Sequence, residues 1–146
     1  MKLCYDNQIL LMADEVYQQN VYDDAKEFIS CRRVLHEMGA PYSDEVELIS
    51  MHSVSKGILG ECGLRGGYFE CHNLSQRAEE ALYKLKSIEL CSNTPGQIAT
   101  HLMIDPPTAP RESGECITRY NEERNHVFSG LKERAELLER TFNDMK

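Results

Sequence analysis

Apolar residues fall along this chain in two rhythms, short unbroken runs first and spacings of three and four later. Residues 8–13, Gln-Ile-Leu-Leu-Met-Ala, form a run closed abruptly by Asp14-Glu15, which predicts a strand buried on both faces. Residues 1–7 read as the tail of a preceding helix. Over 25–38, Phe28, Ile29, Val34, Leu35 and Met38 share roughly one helical face, and Gly39 with Pro41 supplies the stop. Val46 to Met51 predicts a second strand, and Gly67 to Cys71, rich in strand formers, a third. Ser75 is placed to cap a helix over 76–90, with Ala78, Ala81, Leu82 and Leu85 turned inward. Pro95-Gly96 reads as a break before a shorter helix over 97–103. The stretch Asp105-Pro106-Pro107-Thr108-Ala109-Pro110 cannot be helical and predicts a rigid loop. From Glu115 to Asn143 one amphipathic helix is expected, about 40 Å long, with Gly130 as a candidate bend.

Strand, helix, strand, strand, then helices is an α/β order with a mostly parallel, largely buried sheet flanked by helices. A length of 146 residues with 41% hydrophobic positions suits one domain with a real core. No apolar run reaches the length of a membrane span, and the first residues lack the apolar region of a secretion signal. A cytoplasmic location is therefore expected. The net charge of −8, spread along the chain, speaks against a nucleic-acid surface. Six cysteines without a C-x-x-C pair are expected to be reduced, partly buried thiols. Five histidines without i, i+4 pairing give no reason to expect a metal. The final helix runs to the chain end without a stop signal, so truncation at both ends is expected.

Two constellations could carry chemistry. Asp14-x-x-Tyr17 follows directly on the first strand, and ligands of α/β sheets gather at the carboxyl ends of strands. Asp14 there either caps a turn, with Tyr17 packed on the core, or faces a cation such as the protonated ring nitrogen of pyridoxal phosphate. Ser53-x-x-Lys56 follows the second strand, with glycines at 57, 60, 63, 66 and 67 and Arg65 among them. Either this is a flexible surface loop, or Lys56 is an amine suited to Schiff-base formation. In the second case Ser53, Ser55 and Arg65 would be donors for a phosphate monoester. Two rival motifs fail. A phosphate-binding P-loop needs Ser or Thr after the lysine, where Gly57 stands, and penicillin-binding enzymes need companion Ser-Asp-Asn and Lys-Thr-Gly elements that the chain lacks. Cys62 has no base to activate it and reads as inert.

Asp-x-x-Tyr after one strand, Ser-x-x-Lys after the next and Arg beyond is the order seen in fold-type I, class-I pyridoxal-phosphate-dependent aminotransferases. The segments 11–18, 53–57 and 60–68, then Leu90-Cys91, Gly96-Gln97 and the Asp105-Pro106-Pro107 turn, closely resemble the alanine aminotransferase branch, loosening after about Glu112. Arg65 follows Lys56 by nine residues, where many related aminotransferases have eight, and the extra residue in Gly60-Glu61-Cys62-Gly63 favours that branch.

The resemblance implies that Lys56 is the catalytic lysine, joined to pyridoxal 5'-phosphate and moving a proton at the substrate α-carbon. It assigns Asp14 to the pyridine nitrogen and Tyr17 to the phenolate oxygen. Ser53 and Arg65 are assigned to the phosphate, with Ser55 a weaker candidate. The implied reaction is transamination between L-alanine and 2-oxoglutarate, giving pyruvate and L-glutamate, in a homodimer. Residues 1–146 would be the central and later part of the large domain, with 115–146 leading towards a small domain. The family's amino-terminal part and its small domain, with the arginine for the substrate carboxylate, have no counterpart here, so the 146 residues alone are expected to be inactive. The alternatives are another class-I aminotransferase, or a non-catalytic remnant that at most dimerises with a full-length relative.

Overall fold

Four helices, those beginning at Cys31, Gln76, Thr94 and Gly114, start where a Ser or Asn side chain accepts from an orphan amide, and those caps shift several expected boundaries. The computed structural model describes residues 1–23 and 25–145. Along it run α1 (Lys2–Asn7), β1 (Leu11–Asp14), α2 (Cys31–Met38), α3 (Tyr42–Glu45) and β2 (Leu48–Ser53). A 3-10 turn (Cys62–Leu64) precedes β3 (Gly67–His72), and α4 (Gln76–Ser87), α5 (Thr94–Ile104) and α6 (Gly114–Asp144) complete the order.

The helix expected over 25–38 is only its second half. Asp23 Oδ1 accepts from the Ala25 amide, and the chain stays irregular until Ser30, whose hydroxyl accepts from Arg33 N at 3.1 Å. Glu15 Oε1 takes the next orphan amide, Cys31 N, at 2.7 Å, so the residue after β1 anchors the start of α2. Phe28 and Ile29 therefore lie outside the helix, and Ile29 is exposed. Gly39 ends α2 at φ 64°, as its type predicts.

The sheet is α/β but mixed, in the order β1-β2-β3. β1 pairs parallel with β2, Asp14 opposite Met51; β2 pairs antiparallel with β3, Ser53 opposite Gly67. β2 begins two residues later than expected because the Val46 amide is spent on Tyr42 O at the end of α3. Alternation along the strands sends Leu48, Ser50 and His52 to one face and Asp14, Met51 and Ser53 to the other. The first face carries the core: Ala13, Leu35, Val46 and Leu48, bordered by Leu11, Cys4, Cys31 and the edge-to-face pair Tyr5–Tyr42 at 5.1 Å. Met12, on the second face, is 58% exposed, so β1 is not buried on both faces as its unbroken apolar run suggested.

Ser75 caps α4 as expected, accepting from Ala78 N at 3.3 Å, but that helix stops at Ser87. Ala78 and Leu82 are half-buried, whereas Ala81 and Leu85 face outward. Pro95-Gly96 does not interrupt α5; it lies in the first turn, where a missing N–H costs nothing, behind the cap of Asn93. The proline loop is closed by Arg111, whose guanidinium forks onto Asp105. Across 31 residues, about 46 Å, α6 continues without interruption through Gly130. The cysteines are all free thiols, but Cys62, Cys91 and Cys116 are exposed rather than partly buried.

Candidate active site

The two constellations meet at the carboxyl ends of β1 and β2. Glu15 N donates to Met51 O at 3.0 Å, extending the parallel ladder one residue past Asp14. The chain then turns through Val16 and Tyr17, with Gln18 N bonded to Glu15 O and Asn20 N to Tyr17 O. Gly57 comes against this turn. Its φ of 66° is open to glycine at no steric cost, and the position a Cβ would take lies 3.5 Å from the Val16 carbonyl. The residue after Lys56 thus rests against the backbone midway between Asp14 and Tyr17.

Ser53 ends β2 on the same face as Asp14, and its hydroxyl accepts from Ser55 N at 3.3 Å. The loop beyond is braced by Gly60 N on Lys56 O, Glu61 N on Val54 O and Val54 N on Gly66 O, at 2.9 to 3.1 Å. Its flank, Ile58 and Leu59, faces a cleft of about 280 Å³ shared with Met103 of α5 and with Tyr120 and Val127 of α6. So the glycine-rich stretch is a packed, hydrogen-bonded loop. Its outer part, residues 59–63, is exposed.

Asp14, Tyr17, Lys56 and Arg65 are exposed. The side chains of Asp14, Tyr17 and Lys56 have no hydrogen-bond or ion-pair partner among the described residues, and Arg65 has no carboxylate partner there. Among the described residues the Arg65 guanidinium donates to Cys62 O, at 3.3 Å, and more weakly to Cys62 Sγ, at 3.7 Å. A carboxylate, a phenol, an amine and a guanidinium left unpaired at one end of a sheet are the chemical complement of a cation, a phenolate, an aldehyde and a phosphate.

Two features escaped the sequence. The start of α5 packs against the Arg65 segment: Asn93 Nδ2 donates to Arg65 O at 3.2 Å, and buried Gly96 lies against the Leu64 and Arg65 carbonyls. An Asn one residue before Thr-Pro is a recognisable cap signal that the Pro-Gly pair masked. The other is His52, 7% exposed on the core face of β2, edge-on to Tyr68 at 6.0 Å. Neither of its ring nitrogens nor Ser50 Oγ meets a protein partner at hydrogen-bond geometry.

Burial lowers the His52 pKa below the ordinary imidazole value, against the opposing pull of the Glu15 backbone and of the Glu15 and Asp14 carboxylates. The unfolded chain therefore takes up this proton first as pH falls. Stability contributed by neutral His52 is intact above about pH 6.5 and is lost as pH drops from there towards the depressed folded value. Urea midpoints at pH 7.5 and 5.5 should fall further apart for the native protein than for His52→Gln. Equal falls would assign the whole acid sensitivity to other groups.

Residues 1–142 match the family described as aminotransferase class I and II. Glutamate–glyoxylate aminotransferase 1 of Arabidopsis thaliana is 47% identical over 146 residues, covering 100% of this chain and 30% of that protein. The probable mitochondrial alanine aminotransferase of Dictyostelium discoideum is 44% identical over 147 residues, with 100% and 27% covered. Alanine aminotransferase 1 of Bos taurus is 43% identical over 144 residues, with 99% and 28% covered. The alanine aminotransferase structure from Pyrococcus furiosus superimposes with a TM-score of 0.71 at 23% identity, over 98% of this chain and 31% of that one. The chain spans less than a third of the length of these relatives, and no helix among its described residues is long and apolar enough to cross a membrane. With its mixed sheet, long final helix and match over 142 residues, the chain belongs to the class I and II aminotransferase family and has the fold of part of a fold-type I enzyme.

Proposed function

We propose that this chain carries the cofactor end of a pyridoxal-phosphate-dependent aminotransferase acting on L-alanine and 2-oxoglutarate. The observation that supports it most is the seating of Gly57, next to Lys56, on the Val16 carbonyl, in the turn that joins Asp14 to Tyr17. When bound, pyridoxal phosphate supplies an electron sink for the negative charge that develops at the substrate α-carbon. The Lys56 amine would hold the cofactor and would carry the proton to and from that carbon. Asp14 keeps the ring nitrogen protonated, and Tyr17 donates its hydroxyl hydrogen to the phenolate oxygen. The Ser53 hydroxyl and the Arg65 fork hold the phosphate, with Ser55 at its margin. The working form is a homodimer, and the location is cytoplasmic, with a mitochondrial one open in view of the Dictyostelium relative.

A second reading has glyoxylate as amino acceptor and L-glutamate as donor, favoured by the 47% identity to the Arabidopsis enzyme named for that pair. Assays of the purified intact protein with each donor–acceptor pair decide between them. Faster formation of pyruvate from L-alanine with 2-oxoglutarate supports the first reading, and faster formation of glycine from L-glutamate with glyoxylate the second. Turnover of neither pair by cofactor-loaded protein leaves the two alternatives, another class-I aminotransferase or a non-catalytic remnant, and a wider panel of amino donors separates them.

A further inference from the structure

Arg65 cannot aim its guanidinium unless its backbone is held, and that backbone is unusual. At φ 53°, ψ 43° it is left-handed, a conformation disfavoured for any residue with a Cβ. The 3-10 turn before it supplies a single bond, Arg65 N to Cys62 O at 3.4 Å. The remaining restraint comes from a helix thirty residues further on. Asn93 uses both ends of its amide: Oδ1 accepts from Gly96 N at 2.8 Å, capping α5, while Nδ2 donates to Arg65 O at 3.2 Å. Gly96 allows the helix to come this near, since a Cβ there would lie 2.6 Å from Leu64 O and 3.0 Å from Arg65 O. Thr100 Oγ1 bonds Gly96 O at 2.8 Å and closes on Gly66 from the other side.

We propose that Asn93 is a positioning residue for phosphate recognition, its side-chain amide clamping the Arg65 carbonyl so that the guanidinium is presented to the cofactor's phosphate. This rests on the reading of Arg65 as a phosphate ligand. Cap and clamp are separable, because Ser or Asp at 93 keeps an oxygen to cap α5 but loses the amide donor. Agreement between the two variants also removes the added charge of Asp as a cause.

The test titrates the intact protein with pyridoxal phosphate and with pyridoxal, which lacks the phosphate, following the absorbance of the bound cofactor. Arg65→Gln should weaken pyridoxal phosphate and leave pyridoxal unchanged. Asn93→Ser and Asn93→Asp should each weaken pyridoxal phosphate about three- to tenfold, spare pyridoxal, and add nothing in an Arg65→Gln background. Unchanged affinity in both Asn93 variants, equal losses for the two ligands, or an undiminished loss without Arg65 would overturn the clamp. If Arg65→Gln itself leaves the pyridoxal phosphate affinity unchanged, the phosphate reading of Arg65 fails first and the clamp falls with it.

Discussion

Lys56→Ala in the intact protein is expected to cut transamination by about 10^4, with no measurable change in folding stability. In the mechanism proposed above the lysine is both the covalent tether and the proton carrier, and loss of a positioned acid–base group alone removes up to about that factor. Its side chain is exposed and pairs with nothing among the described residues, and substitutions of that kind shift stability by less than about 0.5 kcal/mol. Borohydride reduction of the native protein with pyridoxal phosphate should place the label on the peptide carrying Lys56, and the variant should take up none there. Lys84→Ala, an exposed lysine on α4, serves as the control and should leave both label and rate unchanged. Native-like turnover in Lys56→Ala, or label on another lysine, would remove Lys56 from the mechanism.

The second large effect is structural. Gly66→Ala drives a methyl group into the Gly96 carbonyl oxygen and to 2.6 Å from Thr100 Oγ1. The first obstacle is backbone and cannot rotate away, and the Gly66 carbonyl is itself tied to Val54 N at 3.1 Å. Overpacking of this kind costs about 1–3 kcal/mol, and we expect the upper end. α5 is the element that would yield, since Ile98 and Leu102 remain 57% and 42% exposed and hold it weakly. The urea midpoint should fall, and pyridoxal phosphate affinity should fall with it as Asn93 moves off Arg65. Gly63→Ala is the comparison: no atom lies within 4 Å of its Cβ position, so its cost should stay below about 0.5 kcal/mol. Equal midpoints for the two variants would show that the contact between α5 and the Arg65 segment is loose.

Some of this was open to a reader of the residues alone. Ser75, Gly39, the proline loop and the long amphipathic run announce α4, the end of α2, the break after Ile104 and α6, because caps, breakers and spacings act within a few residues. The six candidate site residues were legible as motifs for the same reason. Their roles were not, since a carboxylate after a strand has the same local sequence whether it caps a turn or meets a cofactor.

Where reading failed, a distant partner decided. The start of α2 depends on Glu15, sixteen residues before Cys31, taking its first amide. Pro95-Gly96 opens a helix because Gly96 must meet the carbonyls of Leu64 and Arg65. The apolar run of β1 is exposed at Met12 because the cluster of Ala13, Leu35, Val46 and Leu48 packs on the other face of the sheet, and on its own face burial reaches Ile49 but not the edge strand. The antiparallel pairing of β3 turns on the fold of the whole glycine-rich loop, a non-local bond pattern that no window of residues encodes.

The sequence by itself determined which chemical groups the chain carries, their order and the family to which that order belongs. Only the tertiary structure decided that Gly57 packs on the turn joining Asp14 to Tyr17, that the Arg65 carbonyl is bonded by Asn93, and that His52 is shut away on the opposite face. The reason is range: propensity and motif spacing act along a few residues, while a site is made by backbone packing and hydrogen bonds between segments tens of residues apart.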